Sequence, residues 1–370
     1  MKNRIKNGVI DKLDQKAAVV ILFVSITEFE TFTFTKGVVG IARQDAWISV
    51  LLGGLLAILT TVLMVKLASR FPKKNFFEYN KQIWGKTIAI VLILGYSIYW
   101  MVYLALLFKE SVYTNKFFFL QNTPSIITLL FLALAAVWLI PYGLTAIVRF
   151  FQIMFPFILF PLILIFVIGI RNVQTSHFQP ILHGGVLPVL KGALYYAGAL
   201  QGLEVILFLG PFLKDVKKAV KPAMLGVGFV VIHTFFQAVL AIGVTGVSNL
   251  KYSVFPGLDT ISLLEFPGFE VERFELFLTF PWIIGVFTTI CIFLYLLSYG
   301  VNQIVHLKNH KIMVYILTII IISSTYLFPS FVVEAKTRDY FNYLTLLFVY
   351  LIPVVTLFLA IIRSLRDNYE

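Results

Sequence analysis

The chain has 370 residues, 59% of them hydrophobic and 13% charged, where a soluble domain carries about 25% charged residues. With a mean hydropathy of +0.92 and long, unbroken apolar runs, it reads as an all-α polytopic membrane protein. A membrane β-barrel is excluded, because its strands alternate over short segments. The net charge of +12 would suit nucleic acid, but lysine and arginine gather in alternate connections, as membrane topology requires, so the expected partner is the lipid bilayer and not a nucleic acid.

Ten spans are expected, at 17–40, 46–69, 87–113, 124–141, 145–170, 188–213, 222–247, 274–304, 311–329 and 340–364, each near the length of about 20 residues that a bilayer demands. The basic run Lys2, Arg4, Lys6, Lys12, Lys16 precedes the first span and lacks a small-residue cleavage site after it, so the first helix is read as retained. With that end inside, 20 of the 30 lysines and arginines fall on the inner side. They cluster around 66–86, 214–221, 308–311 and 363–366. This bias supports an even number of spans with both termini inside. The remaining basic residues, among them Lys36, Arg43, Lys109, Lys336 and Arg338, fall outside. The outer connection 248–273 is acidic (Asp259, Glu265, Glu270, Glu272), and the piece between its Pro256-Gly257 and Pro267-Gly268 turns, 258–266, could form a short interfacial helix. The single cysteine, Cys291, lies in an apolar run and cannot form an internal disulfide. No soluble domain is left over, so residues 1–370 form one membrane domain, with five spans in 1–170 and five in 188–364. An odd number of spans per half inverts the second half relative to the first.

Each half opens with a polar-centred span. In the first, Ser25-Ile-Thr-Glu-Phe-Glu-Thr-Phe-Thr33 holds two carboxylates, Glu28 and Glu30. On a continuous helix they would point about 200° apart, and one would meet lipid or a tight interface. A central charge costs about 2.5–3.5 kcal/mol on insertion scales, which favours an unwound segment lined by Thr27, Glu28, Phe29, Glu30 and Thr31. In the other reading the span sits further out and the acids pair with Lys36 or Arg43 near its mouth. The sixth span carries Gly198, Gln201, Gly202 and Glu204. Here a broken helix could offer backbone N–H groups near Gly202 to a substrate carboxylate. Alternatively, the glycines serve close helix packing and Glu204 makes a structural hydrogen bond. In the third span Tyr96, Tyr99 and Tyr103 share one face, as an aromatic packing face or as site walls (Tyr99, Tyr103). In the eighth, Thr288 and Thr289 either line the site or bond to their own backbone.

Enzyme signatures are missing: there is no phosphate-binding glycine loop and no nucleophile elbow, and His306 and His310 have no acidic or cysteine companion. No catalytic residue, cofactor or metal is expected.

Four stretches carry a resemblance to a known family: Gln44-Asp-Ala-Trp-Ile-Ser49; Arg70-Phe-Pro72 followed by Gly85-Lys86; Lys191-Gly-Ala193 through Gly202-Leu-Glu204 to Pro211-Phe212; and Phe269-Glu-Val-Glu-Arg-Phe-Glu275. Together, in this order, they resemble the spore germination receptor B-subunit family, the endospore permease branch of the amino acid–polyamine–organocation superfamily. The resemblance covers nearly the whole chain. It implies a transporter-type fold of five-plus-five inverted repeats with interrupted first and sixth helices. It also implies sensing of small nutrients, often amino acids, in the spore inner membrane, and partnership with a membrane-anchored A subunit and a C-subunit lipoprotein. The family's first span usually breaks at Gly-x-Gly followed by proline, where this chain has Glu28-Phe-Glu30 and Thr35. Two acids there would favour a cationic or proton-linked ligand. The alternative functions are a proton- or sodium-coupled amino acid or amine transporter, and a channel-forming or structural subunit.

Overall fold

The computed structural model describes residues 12–27, 32–119, 121–264, 275–306 and 310–367. The first span is made of two pieces, α1 (Ala17–Thr27) and α2 (Phe34–Ala42), with a turn at 32–33 before α2. Arg43, with φ 52°, then redirects the chain into α3 (Ala46–Arg70). In the connection that follows α3, α4 (Phe76–Ile83) is started by Asn75, whose side chain accepts from the backbone of Phe77 and Glu78 while the Glu78 carboxylate accepts from the Asn75 N–H at 2.9 Å. This reciprocal cap satisfies N–H groups that a helix start leaves without partners.

The long helices follow: α5 (Lys86–Thr114), α6 (Ser125–Leu139) and α7 (Leu144–Gly169). Pro141 and then Gly143, at φ 86°, separate the last two. In the second half come α8 (Val186–Gly198), α9 (Val220–Leu240), the short α10 (Val247–Leu250) and α11 (Pro256–Ser262), then α12 (Glu275–Val305), α13 (His310–Ser324), α14 (Phe331–Thr345) and α15 (Ile352–Ile362). The connection helix expected over 258–266 begins two residues earlier, with Pro256 in its first turn, a position whose missing N–H loses no bond.

Seven helical stretches among the described residues are long and apolar enough to cross a bilayer. They correspond to the expected second, third, fourth, fifth, seventh, eighth and tenth spans. The first and sixth are built from shorter pieces, and the ninth is one shorter apolar helix, Lys311–Leu327. The tenth requires a correction: its helix starts at Phe331 and not at 340. Ser330 caps it by accepting from the Val333 N–H at 3.3 Å, and a wider-turned stretch at 346–351 carries it into α15. The charges Glu334, Lys336, Arg338 and Asp339 made this piece look like a connection.

The outside of the bundle is apolar where hydrocarbon must meet it. Ile153, Phe157, Phe160, Ile163 and Val167 of α7 and Leu51, Leu55 and Leu59 of α3 are exposed. The core is aromatic. Phe76, Phe77, Tyr96, Trp100 and Phe208 form one cluster of edge-on and tilted rings with centroid separations from 4.8 to 6.3 Å.

Residues of the expected inner side meet at one end. Leu13 donates its N–H to the Phe212 carbonyl at 2.8 Å and accepts from Lys214 at 2.9 Å. Arg70 and Lys74 hold the C-terminal segment through the Leu365 carbonyl (3.0 Å) and Asp367 (2.9 Å). At the other end Lys36 donates to the Ser253 carbonyl at 2.7 Å, Gln44 to the Pro180 carbonyl at 2.7 Å, and Asp45 accepts from the Leu182 N–H at 3.0 Å.

Candidate functional site

The two polar-centred spans meet in the middle of the molecule. α8 ends at Gly198, and a single 3-10 stretch, Leu203–Phe208, follows Gly202, which adopts φ 114°. Only glycine takes that backbone conformation without strain. The close approach demands it as well, because a side chain at Gly202 would run into the Ser25 carbonyl of α1, and one at Gly198 would run into the Asn342 carbonyl of α14. Glycine at these two positions is what lets the broken sixth span touch the first and the tenth.

Between them lies Gln201, fully buried. Its amide donates to the Gly198 carbonyl (2.8 Å), to Asn342 Oδ1 (2.9 Å) and to Thr345 Oγ1 (3.2 Å), while its Oε1 has no hydrogen-bond partner among the described residues. Tyr99 of α5 reaches Thr345 with its hydroxyl at 3.2 Å and stacks on Phe341 and Phe348, each at 4.8 Å. Tyr103, one turn along, packs against Phe293 and Phe341. Thr289 of α12 ties the eighth span to the first by donating to the Val24 carbonyl at 3.1 Å, whereas Thr288 bonds only within its own helix, to Gly285, at 2.6 Å. Thr27, at the end of α1, donates to the Phe23 carbonyl at 2.6 Å. Glu28, Phe29, Glu30 and Thr31 lie outside the described residues.

Glu204 is fully buried, and its oxygens are taken up locally. Oε1 accepts from the Trp100 indole N–H at 3.1 Å, and Oε2 accepts from the Gly202 backbone N–H at 2.9 Å. Of the N–H groups near Gly202, that of Gly202 itself is taken by the chain's own carboxylate. Glu204 stabilises the break; the atom left open there belongs to Gln201.

Beside this crossing is a cavity of about 400 Å³ whose walls include Thr33, Lys36, Tyr195, Arg338, Asp339 and Tyr343. Tyr195 OH donates to Asp339 Oδ1 at 2.6 Å, bridging α8 to α14. Tyr195 and Asp339 each lie one turn from Gly198 and Asn342, so the chamber and the crossing share the same two helices.

Three site residues escaped the sequence reading. Glu110 of α5 pairs with Arg338 of α14 at 3.1 Å, and Glu334 lies 3.6 Å from the same guanidinium nitrogen. The Thr33 hydroxyl donates to Glu110 at 3.3 Å. All three charged side chains are at most 6% exposed. A signal existed: Glu334, Arg338, Phe341 and Thr345 recur at i, i+4, i+7 and i+11, one helical face, and all four are buried. Placing the tenth span at 340 hid it. No group of three histidine, cysteine, aspartate or glutamate side chains that could hold a metal ion occurs among the described residues.

This arrangement defines a class first, an integral membrane protein with the fold of solute transporters. The structure superposes on the nucleobase-cation-symport-1 family transporter Mhp1 in a closed conformation with bromovinylhydantoin bound, with a TM-score of 0.62 at 12% identity over 94% of this chain and 78% of that one. It superposes on MhsT in complex with L-phenylalanine with a TM-score of 0.60 at 12% identity, over 96% of this chain and 100% of that one. The family follows from sequence: residues 12–332 match the model described as spore germination protein, and the chain belongs to that family. It is 32% identical to the spore germination protein YndE of Bacillus subtilis (strain 168) over 283 residues, 76% of this chain and 77% of that protein. Spore germination protein B2 of the same organism is 26% identical over 332 residues, 88% of this chain and 87% of that protein.

Proposed function

We propose that this chain is the nutrient-sensing subunit of a spore germinant receptor. In this reading ten spans form two inverted five-helix repeats with both termini inside, in the spore inner membrane. A small nutrient such as an amino acid binds where the first and sixth spans are interrupted, among Thr27–Thr31, Tyr99, Tyr103, Gly198, Gln201, Gly202, Glu204, Thr288 and Thr289. Binding shifts the balance between two arrangements of the repeats, and the A-type membrane subunit and C-type lipoprotein read that shift. A ligand moves such a balance only by its difference in affinity for the two states.

One observation supports the reading above the others. Gln201 Oε1 is a buried acceptor without a donor among the described residues, at the crossing of two broken helices beneath a chamber wide enough for a small solute. A buried polar atom left unpaired is unfavourable by roughly 1–3 kcal/mol, and an ammonium or hydroxyl donor from a ligand would relieve that. The test is a thermal-stabilisation screen of the purified protein with amino acids, nucleosides and sugars, run beside Gln201→Ala. A ligand that binds the folded state raises the melting midpoint by mass action. A stabilising nutrient whose effect drops at least tenfold in apparent affinity in the variant supports the site. A stabilising nutrient bound equally by the variant moves the site elsewhere. Uptake of the same nutrient by proteoliposomes of this chain alone would instead mark a transporter.

A further inference from the structure

The charged cluster under the chamber holds more negative charge than its described partners balance. Glu110 and Glu334 share one guanidinium, that of Arg338, which lies nearer Glu110 (3.1 Å) than Glu334 (3.6 Å). The Thr33 hydroxyl also goes to Glu110. Glu334 is fully buried, and neither of its oxygens has a hydrogen-bond donor among the described residues. Of the other charged groups that act on it, Lys109 is drawn over the Tyr113 ring at 5.2 Å, and Asp339 adds a further negative charge. A buried carboxylate is strongly unfavourable unless a positive charge or hydrogen-bond donors compensate it, and a guanidinium held by another carboxylate does so only in part.

We propose that Glu334 anchors a binding site for one small monovalent cation, reached from the chamber. Thr33 and Arg338 line both the chamber and the cluster, so the two adjoin at these residues. One positive charge balances two carboxylates and one guanidinium, whereas a divalent ion overshoots. An alkali ion and a primary ammonium group share the chemistry required: a single compact charge that sits against two carboxylate oxygens. The site lies on α5 and α14, apart from the crossing of the first and sixth spans, and it stands whichever nutrient binds there.

The experiment uses the full chain in detergent at fixed pH and ionic strength. N-methylglucamine chloride is replaced stepwise by sodium, potassium or methylammonium chloride, and the melting midpoint is followed. The wild type is expected to show a saturable rise with at least one of the three. That response is expected to vanish in Glu334→Gln and persist in Asp215→Asn, which alters a carboxylate on the inner connection. A rise with sodium or potassium assigns an inorganic ion, and a rise with methylammonium alone assigns the ammonium end of an organic ligand. Flat midpoints in all three series overturn the proposal, as does a Glu334→Gln protein that keeps the response. Should Glu334→Gln not fold, infrared difference spectra of the wild type on cation exchange read the carboxylate stretch directly. A shift of one carboxylate is the expected result, and an unchanged spectrum overturns the site.

Discussion

At the residue scale, Glu204 and Gln201 exchange the parts that their chemistry suggests. A carboxylate in an apolar span invites a ligand-binding role, yet Glu204 is closed off by Trp100 and the Gly202 N–H. The neutral amide three residues earlier keeps an open acceptor. It follows that Trp100→Phe weakens the fold more than its ring size suggests, because it withdraws the indole N–H that the buried carboxylate accepts. A hydrogen bond to a charged group is worth about 1.5–3 kcal/mol, so a clear drop in the thermal midpoint is expected. Glu204→Gln leaves an amide NH2 facing one of those two N–H groups and is expected to lower the midpoint as well. Combined with Trp100→Phe it should lower the midpoint by less than the sum of the two single changes, since both act on one contact. Additive losses would show that the indole acts through packing alone.

At the element scale, the interruption of the sixth span is set by backbone and not by charge. Gly202 at φ 114° faces the Ser25 carbonyl. A residue with a Cβ meets a left-handed penalty of roughly 1–2 kcal/mol, to which the collision with α1 adds. Gly202→Ala is therefore expected to destabilise the protein more than Gly40→Ala, since Gly40 has open space around its Cβ position. Melting of both variants in the same detergent checks this, and equal midpoints would mean that α1 and the break are not in contact. The tenth helix teaches the converse. Its first two and a half turns carry four charges and read as a connection, but packing Glu334 and Arg338 inward against Glu110 makes them part of the span. A charged helix face is legible as exposed or buried only once its partner helix is known.

At the scale of the whole molecule, one end is fastened by the N-terminal segment lying beside the exit of the sixth span, Leu13 against Leu213 in a parallel bridge, and by the C-terminal segment held to Arg70 and Lys74. The Lys74–Asp367 pair is partly exposed and worth at most about 1 kcal/mol; the backbone bonds at Leu13 make the stronger tie. If the repeats rock against one another on ligand binding, this end must loosen. Leu13→Cys with Leu213→Cys is expected to cross-link under mild oxidation, and Cys291, the chain's only other cysteine, is buried and does not compete. The cross-linked protein should lose the nutrient-dependent response and regain it on reduction. An unchanged response after cross-linking would place the movement elsewhere.

The sequence by itself determined that the chain spans a membrane as helices, most of the span boundaries, and the glycine break of the sixth span. These follow from hydrophobic run length and from the backbone demands of glycine and proline, which act locally. Only the tertiary structure decided what the polar atoms do. It gave Glu204 to Trp100 and its own loop, left Gln201 with an open acceptor, and drew Glu110, Glu334 and Arg338 together from helices more than two hundred residues apart in the chain. Charge and hydrogen-bond balance at bilayer depth depends on which side chains meet, and that is a property of helix packing that no local pattern encodes.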